Sequence, residues 1–239
     1  MSENNRTSAL ILGVSLILGL VLLAYLLGNA AIQFKEYERV VTVKGLSEKE
    51  FSADIVIWPI QFTVASNDLE SLYGSIEDTT QKIKSFLRNK GIGSKEISNT
   101  MPSITDKSAQ QYGGQSSAEF RYAAVQTVTV YSDKIDQVRA VMSELSALGK
   151  QGIVITGDDY QAQTEYLFTR LNEVKPEMIE EATRKAREVA EKFASDSKSQ
   201  LGKIKRASQG QFSISARDKN NPHIKKIRVV STVTYYLAD

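Results

Sequence analysis

From Ala9 to Leu27 the chain runs nineteen residues without a charge, rich in Leu, Ile and Val, and this stretch limits what the remainder can be. At about 1.5 Å of rise per residue it spans roughly 28 Å as a helix, close to the hydrocarbon thickness of a bilayer. A surface helix of a soluble protein keeps a polar stripe for water, whereas here only Ser15 and Tyr25 interrupt the apolar cylinder. Residues 1–30 therefore read as a transmembrane anchor or signal segment that engages the membrane through Ala9–Leu27. Gly28-Asn29-Ala30 offers small residues where a signal peptidase needs them, which would place a cut before Ala31. The apolar run exceeds the ~7–15 residues of a signal-peptide core, and Arg6 in the leader is offset by Glu3, so an uncleaved anchor is the preferred reading. Arg6 before the segment and Lys35, Arg39 and Lys44 after it do not fix an orientation. A short tail ahead of a large domain is the layout of an export signal, so the residues after 30 are expected outside the cytoplasm.

The roughly 209 residues that follow suffice for one large or two small domains with a hydrophobic core. There is no Cys, which excludes disulfides, thiol chemistry and thiolate-held zinc. A net charge of +2, with both signs spread evenly, lacks the clustered basic face expected for nucleic acid.

Residues 31–38 read as a linker and 39–239 as the folded part. Arg39 to Gly45 has the β-branched content of a strand closed by a glycine turn. Asp54 to Ala65 forms a second strand, apolar on both faces at its start, in which Pro59 should lie at a sheet edge or a bulge. Asn67 with Glu70 resembles a capping box ahead of an amphipathic helix carrying Leu72, Ile76, Ile83 and Leu87, which ends near Lys90 before Gly91. A strand from Glu96 to Thr105, a polar loop from Lys107 to Ser117 with Gly113-Gly114, and a strand from Phe120 to Tyr131 come next. Asp133 can cap a helix with Ile135, Val138, Val141, Met142, Leu145 and Leu148 in one stripe ending at Gly149. Ile153 to about Thr169 reads as a long strand broken at Gly157, with Tyr160, Ala162, Thr164, Tyr166 and Phe168 on one face. Residues 54–169 thus follow the ferredoxin-like order β-α-β-β-α-β. Pro176 suits the first turn of a third, long helix whose apolar face is Met178, Ile179, Ala182, Ala186, Val189, Ala190 and Phe193. Strands over about 203–216 and 225–237, linked by Asp218–Pro222, make a closing β-hairpin, and the fold class is α+β.

A strand ending Val41-Thr42-Val43-Lys44-Gly45, then Phe51-Ser52-Ala53-Asp54 opening the next, then a helix ending Lys90-Gly91-Ile92, resembles the SIMPL-domain family. The resemblance continues through Phe120-Arg121-Tyr122, the Thr127–Val130 strand, Asp136 with its helix, Ala182 to Ala194 and Leu201-Gly202-Lys203-Ile204. It covers about residues 39–239, and the Trp58-Pro59 pair and the Tyr160–Asn172 stretch depart from its pattern. It implies an exported, periplasmic or membrane-attached protein without known catalysis, with some members linked to oxidative-stress defence and some forming ring-like or channel-like homo-oligomers. No catalytic, cofactor or metal residue follows from it.

The residues themselves agree. His223 is the sole histidine and sits in a polar turn without a second histidine or cysteine to share a metal, so it reads as a loop residue. Asp158 and Asp159, adjacent on a strand, point to opposite faces. No serine sits in a Gly-x-Ser-x-Gly elbow, and Lys107-Ser108 with Gly113-Gly114 lacks phosphate-loop spacing. Tyr112, Tyr122, Tyr131, Tyr160 and Tyr166 could line a ligand groove, though strand tyrosines are more often half-buried packing groups. The expectation is a non-catalytic scaffold that self-associates outside the inner membrane. A small-molecule or peptide binding module is the first alternative, and an enzyme of unrecognised type the second.

Overall fold

The computed structural model of the chain describes residues 3–36, 39–109, 119–156 and 162–238. Helix α1 (Glu3–Glu36) leads into β1 (Val40–Ser52), β2 (Ile55–Ser66), α2 (Leu69–Asn89), β3 (Ile97–Asn99), β4 (Ser103–Asp106) and β5 (Tyr122–Ser132). Then come α3 (Ile135–Ser143), α4 (Ser146–Gly149), β6 (Val154–Thr156), β7 (Glu165–Leu167), α5 (Leu171–Asp196), β8 (Gln200–Gln209), β9 (Ser213–Ala216) and β10 (Ile224–Ala238). The chain divides into two compact units, one of Met1–Glu48, Lys175–Ser213 and Arg228–Asp239, the other of Lys49–Val174 and Ile214–Ile227.

In the first unit, α1 carries the apolar run, and its segment Leu10–Ala30, with a mean hydropathy of 2.8, is long and apolar enough to cross a bilayer. None of that segment is buried. Leu12, Leu16, Leu20, Leu23 and Leu27 stand exposed around the helix, the surface of an anchor or signal segment rather than of a core helix. The helix continues through residues 31–36, the stretch read as linker.

The sheet of this unit has the order β1-β10-β8, with β8 antiparallel to β10. Val43, Val233, Tyr235, Ala186 and Ala190 form its core. The strand expected to close at Gly45 instead runs on to Ser52, and Gly45 serves a different purpose. A Cβ there would lie 1.8 Å from the Ala182 carbonyl oxygen and 2.5 Å from the Ala186 amide nitrogen, so the strand meets the backbone of α5 directly. Met178, Ala182, Ala186, Ala190 and Ala194 recur every fourth residue along the buried seam of α5. Val189 and Phe193, expected on that seam, are exposed, because only small side chains fit so close an approach. Buried Ser47 donates to Glu181 Oε2 at 2.8 Å, and Lys185 pairs with the other oxygen at 2.7 Å.

The second unit holds a six-stranded sheet in the order β3-β5-β2-β6, with β4 on β5 and β7 on β2. All its pairs are antiparallel. Counting β3 with β4 and β6 with β7 as single strands gives the ferredoxin-like arrangement expected from the sequence. Val56, Trp58, Ile60 and Phe62 alternate onto the buried face of β2 and meet Leu72, Ile76, Ile83 and Leu87 of α2 and Val138 of α3 in one core. Gln126 is buried among them because Thr80 donates to its Oε1 at 2.8 Å and its amide donates to the Thr100 carbonyl at 2.6 Å. Pro59 faces Thr129 of β5, while β7 pairs with residues 55–57 and β6 with 61–63 on the other side. Among the described residues none is paired with β2 beside Pro59 on that side, which suits its missing amide hydrogen.

Several boundaries differ from expectation. Helix α2 is capped by Asp68, which accepts from the Ser71 amide at 2.8 Å, and not by Asn67. Asn67 is occupied elsewhere, accepting from the Arg121 amide at 2.8 Å and donating to the Glu119 carbonyl at 3.2 Å. Gly91 does close α2, at φ +85. The Glu96–Thr105 strand is split into β3 and β4, with Pro102 between them. Asp133 does not cap α3, which starts after Lys134 with no side-chain cap. The single helix expected to Gly149 becomes α3 and α4, because the Glu144 and Leu145 amides reach back three residues, to Val141 and Met142. Helix α5 begins at Leu171, so Pro176 lies inside it and not in its first turn. Within the expected strand over 153–169, the described residues form only the short strands β6 and β7, with Ile153, residues 162–164 and residues 168–169 outside them. Of the Lys107–Ser117 loop, Lys107–Ala109 form a 3-10 turn. Tyr112, Gly113, Gly114, Gly157, Asp158, Asp159 and Tyr160 lie outside the described residues.

Gly45→Ala should destabilise the full-length protein in detergent by about 3 kcal/mol, the upper end of overpacking costs, since a backbone carbonyl cannot rotate aside. Urea titration followed by circular dichroism measures this; a variant as stable as the parent would show that α5 does not rest on β1 at this point.

Candidate functional site

A cavity of the second unit lies beside the β9–β10 turn, and that turn is built by Asp218. One of its carboxylate oxygens accepts from the Asn220 and Asn221 amides, each at 2.9 Å, and the other accepts from Arg217 Nε at 2.8 Å. The bond from Arg217 leads, with Asn221 and the backbone amides adding to it against the effect of burial, in holding the carboxyl down to about 2. The turn presents His223, whose carbonyl accepts from the Ala53 amide at 2.8 Å. Its ring stands edge-on to Tyr166, with centroids 6.0 Å apart and planes at 60°. The cavity, of about 340 Å³, is bounded by Ser52, Ala53, Asp133, Lys134, Gln137 and His223, at the amino end of α3.

The imidazole Nδ1 is buried and has no hydrogen-bond partner among the described residues. Burial pushes the ring's pKa down, Arg139 and Arg217 push it further, and Asp136 and Asp218 oppose them. A neutral imidazole at neutral pH can act as an acid or base in principle, but catalysis also needs a partner group held against it. The nearest carboxylate on α3, Asp136, has a side chain 99% exposed and a loose 3.9 Å contact to Arg139. Among the described residues, no three His, Asp or Glu side chains are grouped as a metal ion requires.

A second carboxylate, Asp54, is far better engaged. It accepts from the Thr169 amide at 2.9 Å, from the Thr169 hydroxyl at 3.0 Å and from the Arg170 amide at 3.2 Å, just before α5. Burial raises its pKa, but these bonds and Arg170 Nε outweigh it and leave the carboxyl below its usual range. Asp54 thus anchors the start of α5, which explains why that helix begins before Pro176. Asp106 is also held low, by Arg121 first and by Ser108, at the base of the segment after β4.

Among the described residues, the tyrosines expected to line a groove do not converge. Tyr122 lies under the Arg121 guanidinium, 4.8 Å from its ring centre. Tyr131 is 52% exposed on the opposite face of β5. Tyr166 is buried against His223. His223 itself, read from the sequence as a plain loop residue, is half-buried through contacts with Ala53 and Tyr166, remote segments that its own Asp218–Pro222 surroundings do not foreshadow.

An apolar N-terminal helix followed by an α+β fold with a ferredoxin-like sheet defines the class of protein. The family model for SIMPL, described as a protein of unknown function (DUF541), matches residues 41–235, and the chain belongs to that family. No curated protein matches the chain.

Asp54→Ala should cost about 1–2 kcal/mol, the range for losing a capping carboxylate, read from the fluorescence of the single, buried Trp58 in urea. The Asp54 contribution is fully present above the unfolded carboxylate value near 3.8 and is lost as the pH falls through its lower folded value. Asp54→Asn should therefore be less stable at neutral pH and show a shallower acid limb. Parallel acid limbs in the two proteins would remove Asp54 from this role.

Proposed function

We propose that the protein is a non-catalytic component of the cell envelope, held in the inner membrane by α1 with its folded part on the periplasmic side, where copies self-associate as a scaffold, in envelope maintenance or oxidative-stress defence. The observation that carries this reading is the fully exposed apolar segment Leu10–Ala30. Helix α1 runs unbroken through Gly28-Asn29-Ala30 to Glu36. That continuity favours a retained anchor over a cleaved leader, because proteases bind their substrates extended. Self-association is supported by the two edges of the first sheet, β1 and β8, which pair with no further strand among the described residues and which a second copy can cover by strand pairing.

The native chain has no cysteine, so one introduced thiol reports its side of the membrane without background. Met101, 90% exposed, is the place for it. Met101→Cys should react with a membrane-impermeant maleimide in cells whose inner membrane is intact. Reaction only after lysis would put the domain in the cytoplasm. Sedimentation of the detergent-solubilised protein should give a mass above one chain, and monomer alone at every concentration would end the scaffold reading.

A further inference from the structure

The β9–β10 turn is fastened within its unit by His223 twice over, through its carbonyl on the Ala53 amide at 2.8 Å and through its ring against Tyr166. Nδ1 lies buried with no hydrogen-bond partner among the described residues. A neutral ring can leave that nitrogen as a bare acceptor, but the doubly protonated ring carries N–H on both nitrogens and must place a donor there. A buried donor without an acceptor costs the full desolvation of the group. The 340 Å³ cavity on the flank of the ring gives it somewhere to go.

We propose that the β9–β10 turn is an acid-released latch, closed on Ala53 while His223 is neutral and opened when Nδ1 takes up a proton. The charged groups around the ring fit this behaviour. Arg139 of α3 and Arg217 of the turn both oppose a further positive charge. Asp218 is taken up by Arg217 and the backbone of its own turn, and Asp136 stands almost wholly in water, where its attraction is screened. Asp133 and Lys134, from the connection before α3, line the cavity, and Lys134 is drawn toward Glu96 at 3.4 Å. Tyr166, from β7, presents its ring, while its hydroxyl lies 3.9 Å from the Met142 sulfur. Opening would act first on Ala53, and the next residue, Asp54, holds Thr169 and Arg170 at the head of α5.

The test uses the full-length protein in detergent micelles, with hydrogen exchange at residues 49–54 and 214–227 followed between about pH 7.5 and about pH 5 and corrected for intrinsic rates. His223 is the only histidine, so its ring resonances titrate without assignment ambiguity. The latch requires that protection at Ala53 be lost on acidification with the same midpoint as the ring, and that His223→Gln, which cannot take up the proton, keep its protection. Equal acid loss in His223→Gln, or protection in the parent that never falls, overturns it. Should that variant not fold, a mismatch between the two midpoints in the parent protein overturns it equally.

Discussion

Water rejects a helix that is apolar on every side, and this constraint orders everything else about the chain. The segment Leu10–Ala30 buries none of its surface in the protein. Each leucine-sized side chain moved out of water is favoured by roughly 1.5–3 kcal/mol, so the segment partitions strongly out of water, as an anchor or a signal segment does. The remaining chain folds as an α+β protein with its own cores and without disulfides.

Two kinds of packing hold those cores. In the second unit, large side chains such as Phe62, Ile60, Leu72 and Leu87 interlock between sheet and helices, and the stabilisation is apolar area removed from water. In the first, alanines and a glycine bring the backbones of α5 and β1 together, and the gain is contact and close fit more than area. The engaged carboxylates belong to the same architecture. Asp54, Asp68, Asp106 and Asp218 each satisfy backbone amides at a turn or helix start, and none is turned toward a shared reacting centre.

What was legible in the sequence was whatever depends on periodicity. The 3.6-residue recurrence of Leu72, Ile76, Ile83 and Leu87 predicted α2, and all four are buried. The order β-α-β-β-α-β followed from such patterns, and the family resemblance from the order of the pieces. What was hidden depends on partners distant in sequence. Asn67 and Asp68 are equally good caps by composition, and only the bonds from Asn67 to residues 119–121 decide between them. Gly45 looks like a turn glycine until α5 lies across it, and the early start of α5 is set by Asp54, on the far side of the sheet sequence. His223 gave no local sign of its burial, because the residues that bury it come from β7 and the connection between β1 and β2.

Alkaline carbonate extraction of membranes from cells making the full-length chain asks most directly whether the apolar helix is in lipid. An inserted α1 leaves the protein in the membrane pellet after extraction, and moves it to the supernatant only with detergent. Release of the intact chain by carbonate alone would mean that Leu10–Ala30 is covered by protein and spans no bilayer.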